Sequence, residues 1–177
     1  MYSSHGTINY SKQKEKGGFR PTTDRAKETL FNVLNNLIDF DGISCLDLFA
    51  GSGSIGFEAL SRGAAHCDFV DISAKYMKLI ERTAKELKVD EQIRLFCYDA
   101  MGFLDENKAA SYDLIFADPP YQYSDYDLLM NKVFYISFGI FVLEHSSGTE
   151  LLYDSNRFDI ISKTVGAANF RIFSSKE

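Results

Sequence analysis

Only three cysteines and three histidines occur in the 177 residues. Cys45, Cys67 and Cys97 are far apart and form no Cys-x-x-Cys pair. Each falls in a stretch that reads as a strand, which predicts buried reduced thiols rather than metal ligands or nucleophiles. His5, His66 and His145 make no His-Glu-x-x-His or similar ligand spacing, so no metal site is expected. Also missing is any apolar run near the roughly 18 to 20 residues of a membrane span. The opening MYSSHGTINYSKQKEKGG lacks the basic-then-apolar layout of a signal peptide. These absences point to a cytoplasmic protein that uses neither membrane nor metal. An excess of positive charge is lacking too: the net charge of −6 argues against a protein that coats nucleic acid unaided. The charge is uneven, however, with six bases against three acids in residues 1–28, leaving −9 for the rest. A polyanion would therefore meet the N-terminal segment.

What is present reads as one α/β domain over 1–177, with 45% hydrophobic and 25% charged residues and no internal repeat. Residues 1–18 have no sustained period and end in Gly17–Gly18, which predicts an irregular N-terminal arm. Ala26, Leu30, Val33, Leu34, Leu37 and Ile38 recur at helical spacing, predicting an N-terminal helix over 22–38. From residue 44 to 177 short apolar runs alternate with helical patterns. The strands are expected at 44–49, 67–72, 93–99, 112–118 and 140–146, with helices near 54–62, 74–88, 100–107 and 126–134. Alternation of this kind gives a parallel sheet with helices on both faces. At the tail FDIISKTV and NFRIFSS are joined by GAA, too short for a helix, so a closing antiparallel hairpin is expected.

The segment CLDLFAGSGSIGFEAL places Gly51-x-Gly53-x-x-Gly56 between a strand and a helix, with Asp71 twenty residues after Gly51. That context makes it a nucleotide-binding loop. A dinucleotide would set an anionic pyrophosphate against the loop, where Asp47, four residues before Gly51, would repel it. S-adenosylmethionine carries no phosphate, and its ammonium and sulfonium suit an acid at Asp47. Asp71 can accept both ribose hydroxyls, and Asp99 at the next strand end can accept from the adenine amine. Phe49, Ile72 and Ala100 adjoin these positions and complete the expected cofactor-binding set.

The fourth strand end carries Asp118-Pro119-Pro120-Tyr121. An exocyclic amine on a nucleobase is a poor nucleophile because its lone pair is delocalised into the ring. The Asp118 carboxylate and the Pro119 carbonyl are two acceptors that can bind both N–H groups and free that lone pair. Pro119 and Pro120 hold them rigidly, since proline fixes φ and brings no competing N–H. Tyr121 offers a face for a base swung out of its helix or loop. No Pro-Cys pair is present, which argues against methylation at cytosine carbon 5.

RPTTDRAKETLFNVL, LDLFAGSGSIGFEALSRGA and DPPY, in this order and spacing, resemble the RsmD-type 16S ribosomal RNA guanine-N2 methyltransferases, with a weaker echo in EHS at 144–146 and in KTVGAANFRIF. The resemblance implies a Rossmann-like class I sheet of seven strands ordered 3-2-1-4-5-7-6, with strand 7 antiparallel. It implies that Thr22 folds over the methionine end of the cofactor and that Arg20 and Arg25 lie near cofactor or RNA, with Tyr121 also in contact with substrate. The implied partner is ribosomal RNA or the small ribosomal subunit, met by a monomer. The acidic net charge favours a structured ribonucleoprotein over naked RNA. Three alternatives stay open: a DNA adenine-N6 methyltransferase, an NAD-binding oxidoreductase, and a catalytically silent RNA-binding assembly factor.

Overall fold

The computed structural model describes residues 24–120 and 122–176. The N-terminal arm, Arg20, Thr22 and Tyr121 therefore lie outside the described residues. Five helices and seven strands follow the order α1 (Asp24–Leu34), β1 (Ser44–Leu48), α2 (Ser54–Ser61), β2 (His66–Asp71), α3 (Ala74–Leu87), β3 (Ile93–Cys97), α4 (Ala100–Glu106), β4 (Ser111–Ala117), α5 (Tyr126–Val133), β5 (Ser137–His145), β6 (Phe158–Val165) and β7 (Ala168–Ser175). The sheet order is β3-β2-β1-β4-β5-β7-β6. The first five strands are parallel, and β7 runs antiparallel to both β5 and β6. This is the expected class I methyltransferase sheet.

Strand alternation explains why the sheet is covered twice, because neighbouring side chains point to opposite faces. Cys45, Cys67, Phe69, Leu114, Phe116, Ile140 and Val142 pack with α1, α2 and α3 on one face. Leu46, Leu48, Val70, Ile115, Ala117, Phe141 and Leu143 pack with α4 and α5 on the other. Phe31 and Phe116 bring α1 onto the first face at a ring separation of 5.7 Å.

The structure corrects three expectations. Helix α1 stops at Leu34, well short of residue 38, and Leu37 is exposed. Asn35 and Asn36 are weak helix formers, and there the backbone tightens into i→i−3 bonds from Asn36 to Val33 and from Leu37 to Leu34. Cys97 is exposed, unlike buried Cys45 and Cys67. The reason is topological, since β3 is the edge strand and has a neighbour on one side alone. Strand β5 begins earlier than its apolar run, at Ser137. Its Gly139 lets the Asp113 carbonyl approach to 2.8 Å from where a Cβ would sit.

Candidate cofactor and methyl-transfer site

Parallel register levels the strand ends. Leu48 lies beside Val70 on one side and beside Ala117 on the other. Phe49 and Asp118 consequently leave the sheet beside Asp71, the last residue of β2, at the carboxyl edge where open α/β sheets bind ligands. The Asp118 N–H donates to the Leu48 carbonyl at 3.4 Å, tying the start of Asp-Pro-Pro to the strand that feeds the glycine loop. Pro119 is buried and Pro120 is exposed.

The glycine loop needs conformations that side chains resist. Gly51 and Gly53 have φ of 53° and 75°, and Phe49 adopts φ of 60° without being glycine. A left-handed phenylalanine costs of order 1–3 kcal/mol and occurs where surrounding structure imposes it. Gly56 meets a different need: a Cβ there would lie 2.3 Å from the Phe69 ring and 2.7 Å from the Cys67 sulfur. Helix α2 can thus lie directly on β2, which aims its N-terminus at the site.

Two carboxylates bind the glycine segment, and a third stands beyond the end of β3. Asp47 is 3% exposed and its Oδ2 accepts from the Gly56 N–H at 3.0 Å. Burial pushes its pKa up to about 8. The Gly56 hydrogen bond works against that rise, and the charges of Asp118 and Asp71 add to it. Asp71 accepts from Gly51 N through Oδ2 and from Ser73 N through Oδ1, both at 2.8 Å. Those bonds clamp the glycine loop to the end of β2 and fix the carboxylate's direction. Asp99 has left β3 and caps α4, with Oδ2 accepting from Gly102 N at 2.9 Å. Its environment is that of a helix cap at the same edge. Ala100 is buried in the first turn of α4, whereas Ile72 is 76% exposed next to Asp71. An apolar side chain left in water beside a fixed carboxylate offers a platform for a flat ring.

Of the expected substrate-binding residues, Arg25 is described and lies in the first turn of α1. It joins the β6–β7 turn rather than the carboxylate group. One residue of the site had no sequence signal. Tyr123 folds back after Asp-Pro-Pro, its N–H donating to the Pro120 carbonyl at 2.8 Å. Its ring meets Phe49 edge-on at 5.6 Å and Tyr126 at 5.4 Å, and its hydroxyl reaches the Met101 sulfur at 3.4 Å. Tyr123 therefore links the fourth strand end, the glycine loop and α4. Burial, aided by Asp125 and Asp99, lifts its phenol to about 12. The tyrosine-rich run after residue 120 was visible, but only the turn closed by Pro120 shows which ring turns inward.

A charge argument selects the ligand class. A buried acid with two further carboxylates nearby favours a cation, and an anionic pyrophosphate would be repelled. The comparisons with known proteins agree. The family model described as Conserved hypothetical protein 95 matches residues 10–174. Ribosomal RNA small subunit methyltransferase D of Haemophilus influenzae is 32% identical over 164 residues, covering 89% of this chain and 84% of the relative. YlbH of Bacillus subtilis, provisionally an rRNA methyltransferase, is 37% identical over 138 residues, covering 75% and 74%. Among solved structures, yhhF of Escherichia coli, provisionally a methyltransferase, superimposes with a TM-score of 0.78 at 27% identity, covering 89% of each chain. HI0767 of Haemophilus influenzae, provisionally a methylase, gives 0.73 at 29% identity, covering 89% and 100%.

Proposed function

The chain belongs to the Conserved hypothetical protein 95 family, and on that premise we propose that it is an S-adenosylmethionine-dependent methyltransferase acting on the exocyclic N2 amine of a guanine in 16S ribosomal RNA. The observation that carries the reading is the convergence of Asp47, Asp71 and Asp118 around one glycine loop. The residues fit the cofactor: a buried acid awaits a cation, a fixed carboxylate suits a diol, and exposed Ile72 suits an adenine face. The family's ribosomal RNA relatives support the substrate class.

When bound, S-adenosylmethionine supplies an activated methyl group carried on a cationic sulfur. Ionised Asp47 pairs with the ammonium, while Gly51 and Gly53 let the main chain come close, with Phe49 beside them. Asp71 accepts from the ribose hydroxyls, and Asp99 retains lone pairs for the adenine amine beside Ala100. Thr22 covers the methionine end. Asp118 and the Pro119 carbonyl accept the two N–H groups of the guanine amine, drawing the nitrogen toward tetrahedral geometry so that its lone pair can attack in line. The surplus proton leaves toward the Asp118 carboxylate. Pro120 keeps the acceptors rigid, Tyr121 stacks on the base, and Arg20 and Arg25 meet the RNA. Catalysis of this kind is positioning and electrostatics without a covalent intermediate. The enzyme works as a cytoplasmic monomer on RNA within the small subunit.

Two measurements test the reading. Mass mapping of ribosomal RNA from a deletion strain should show one N2-methylguanine missing, and an unchanged profile would refute the substrate. Asp118→Ala should lower kcat at least a hundredfold while leaving S-adenosylhomocysteine binding within a few-fold by calorimetry. Wild-type turnover in that variant would refute the acceptor mechanism, and binding of NAD in place of S-adenosylhomocysteine would refute the cofactor.

A further inference from the structure

The register of β7 places the β6–β7 turn at the same sheet edge as Asp118. Leu143 lies beside Ala117 on β4, Arg171 pairs with Leu143, and Asn169 pairs with His145. Val165 and Ala168 then close a two-residue hairpin over Gly166 and Ala167. Gly166, with φ of +62°, takes the first central position as a type II′ turn requires, and among the described residues nothing stands within 4 Å of where its Cβ would be. The main chain at the tip is therefore open to a ligand.

Between this tip and α1 lies a cleft of about 360 Å³ lined by Arg25, Thr29, Lys163, Thr164, Val165 and Gly166. Among the described residues no carboxylate lines it, in a chain whose net charge is −6. Among the described residues neither the Arg25 guanidinium nor the Lys163 ammonium is held in an ion pair. Two cations from distant parts of the sequence thus flank a space with hydroxyls and accessible backbone on its walls. Thr164 is held in place by donating its hydroxyl to Asn169 Oδ1 at 2.9 Å, and Thr29 by donating to the Arg25 carbonyl at 2.9 Å. Strand β6 stands three strand spacings from β4, about 14 Å across the sheet.

The geometry points to this cleft as a second RNA contact, a clamp on the sugar–phosphate backbone a few nucleotides from the methylated base. It rests on the reading of the chain as an RNA methyltransferase. Arg25 supplies planar donors from α1, Lys163 a point charge from β6, and the Gly166 tip admits the backbone between them. The clamp brings positive charge to the one edge where an acidic enzyme needs it.

Lys163→Gln and Arg25→Gln, each in the full chain, should raise KM about fivefold or more for small subunits isolated from a strain lacking the modification. KM for S-adenosylmethionine should hold. A phosphate contact has a signature that altered folding lacks: the slope of log KM against log salt should fall by about 0.7 to 0.9 per cation removed. Lys163→Arg should restore both quantities. Unchanged KM and slope in both glutamine variants would overturn the clamp. So would a loss seen on assembled subunits with naked 16S RNA unaffected, because the cleft would then be reading ribosomal protein. Should the wild-type chain methylate no RNA, the proposed function falls, and the clamp is judged by fluorescence anisotropy on a labelled RNA oligonucleotide. Salt-sensitive binding weakened by Lys163→Gln would sustain it, and equal binding would end it.

Discussion

Asp47 is the residue whose chemistry depends most on its surroundings. Its pKa stands near 8 in the protein against 3.8 for an ordinary aspartate. The folded chain therefore holds a proton that the unfolded chain has lost between about pH 4 and pH 8, and stability falls as pH rises through that window. A cationic ligand reverses the preference, because it pairs with the ionised form. S-adenosylhomocysteine, which keeps the ammonium, should bind more tightly from pH 6 to pH 8, approaching tenfold per pH unit at the low end as one proton is released. Calorimetry in buffers of different ionisation enthalpy should count that proton, and Asp47→Asn should flatten the dependence. A flat profile in the wild-type protein would show that Asp47 does not meet the ammonium. The sequence placed this acid at the correct strand end. Its burial was hidden, because exposure there depends on how closely α2 and α3 lie on the sheet.

At the scale of elements, Gly56 decides how α2 sits. Sequence reasoning took it as the third glycine of a loop motif, whereas its neighbours show a packing position, with the Phe69 ring and Cys67 sulfur where a methyl would go. Gly56→Ala should cost about 1 to 3 kcal/mol by overpacking, despite the better helix propensity of alanine. Because α2 also carries the Gly56 N–H that holds Asp47, the same change should weaken cofactor binding. Chemical denaturation and calorimetry on one preparation would read both effects, and wild-type stability would refute the packing argument. The strands and helices were legible because apolar runs of period two alternate with amphipathic segments. The ends of elements were less so. Asn35 and Asn36 ended α1 early, Asp99 left β3 to cap α4, and Tyr123 turned inward through a hydrogen bond to Pro120 that no spacing rule announces.

At the scale of the molecule, the edge opposite the site is fastened differently. Asp68, fully buried on β2, accepts from Arg94 of β3 at 2.7 and 2.6 Å and from the Tyr112 hydroxyl of β4 at 2.7 Å, with His66 Nε2 at 2.6 Å. A buried carboxylate with this many donors holds three strands in register, and removing it strands its partners. Asp68→Ala should cost about 3 kcal/mol or more, read as a lower urea midpoint at unchanged slope. Methyl-transfer kinetics at low temperature should be nearly unaffected, since the network lies at the far end of the strands. A large kcat loss without a stability change would refute this division. The topology itself was visible in the sequence, from the helix-free tail after β5 and from the resemblance. The Asp68 network was not, because its members are spread over 47 residues with no common motif.

The antiparallel β7 has a consequence for synthesis. Ala168–Ser175 inserts between β5 and β6 and hydrogen-bonds to both. As the chain emerges from the ribosome in order, β5 can close on β4, but its other edge stays bare until the last strand arrives. Until then Phe141 and Leu143 border an open ladder, the kind of edge that recruits other chains. The final eight-residue strand thus acts as the zipper of the fold, and a nascent chain stalled before it would be a natural client for chaperones.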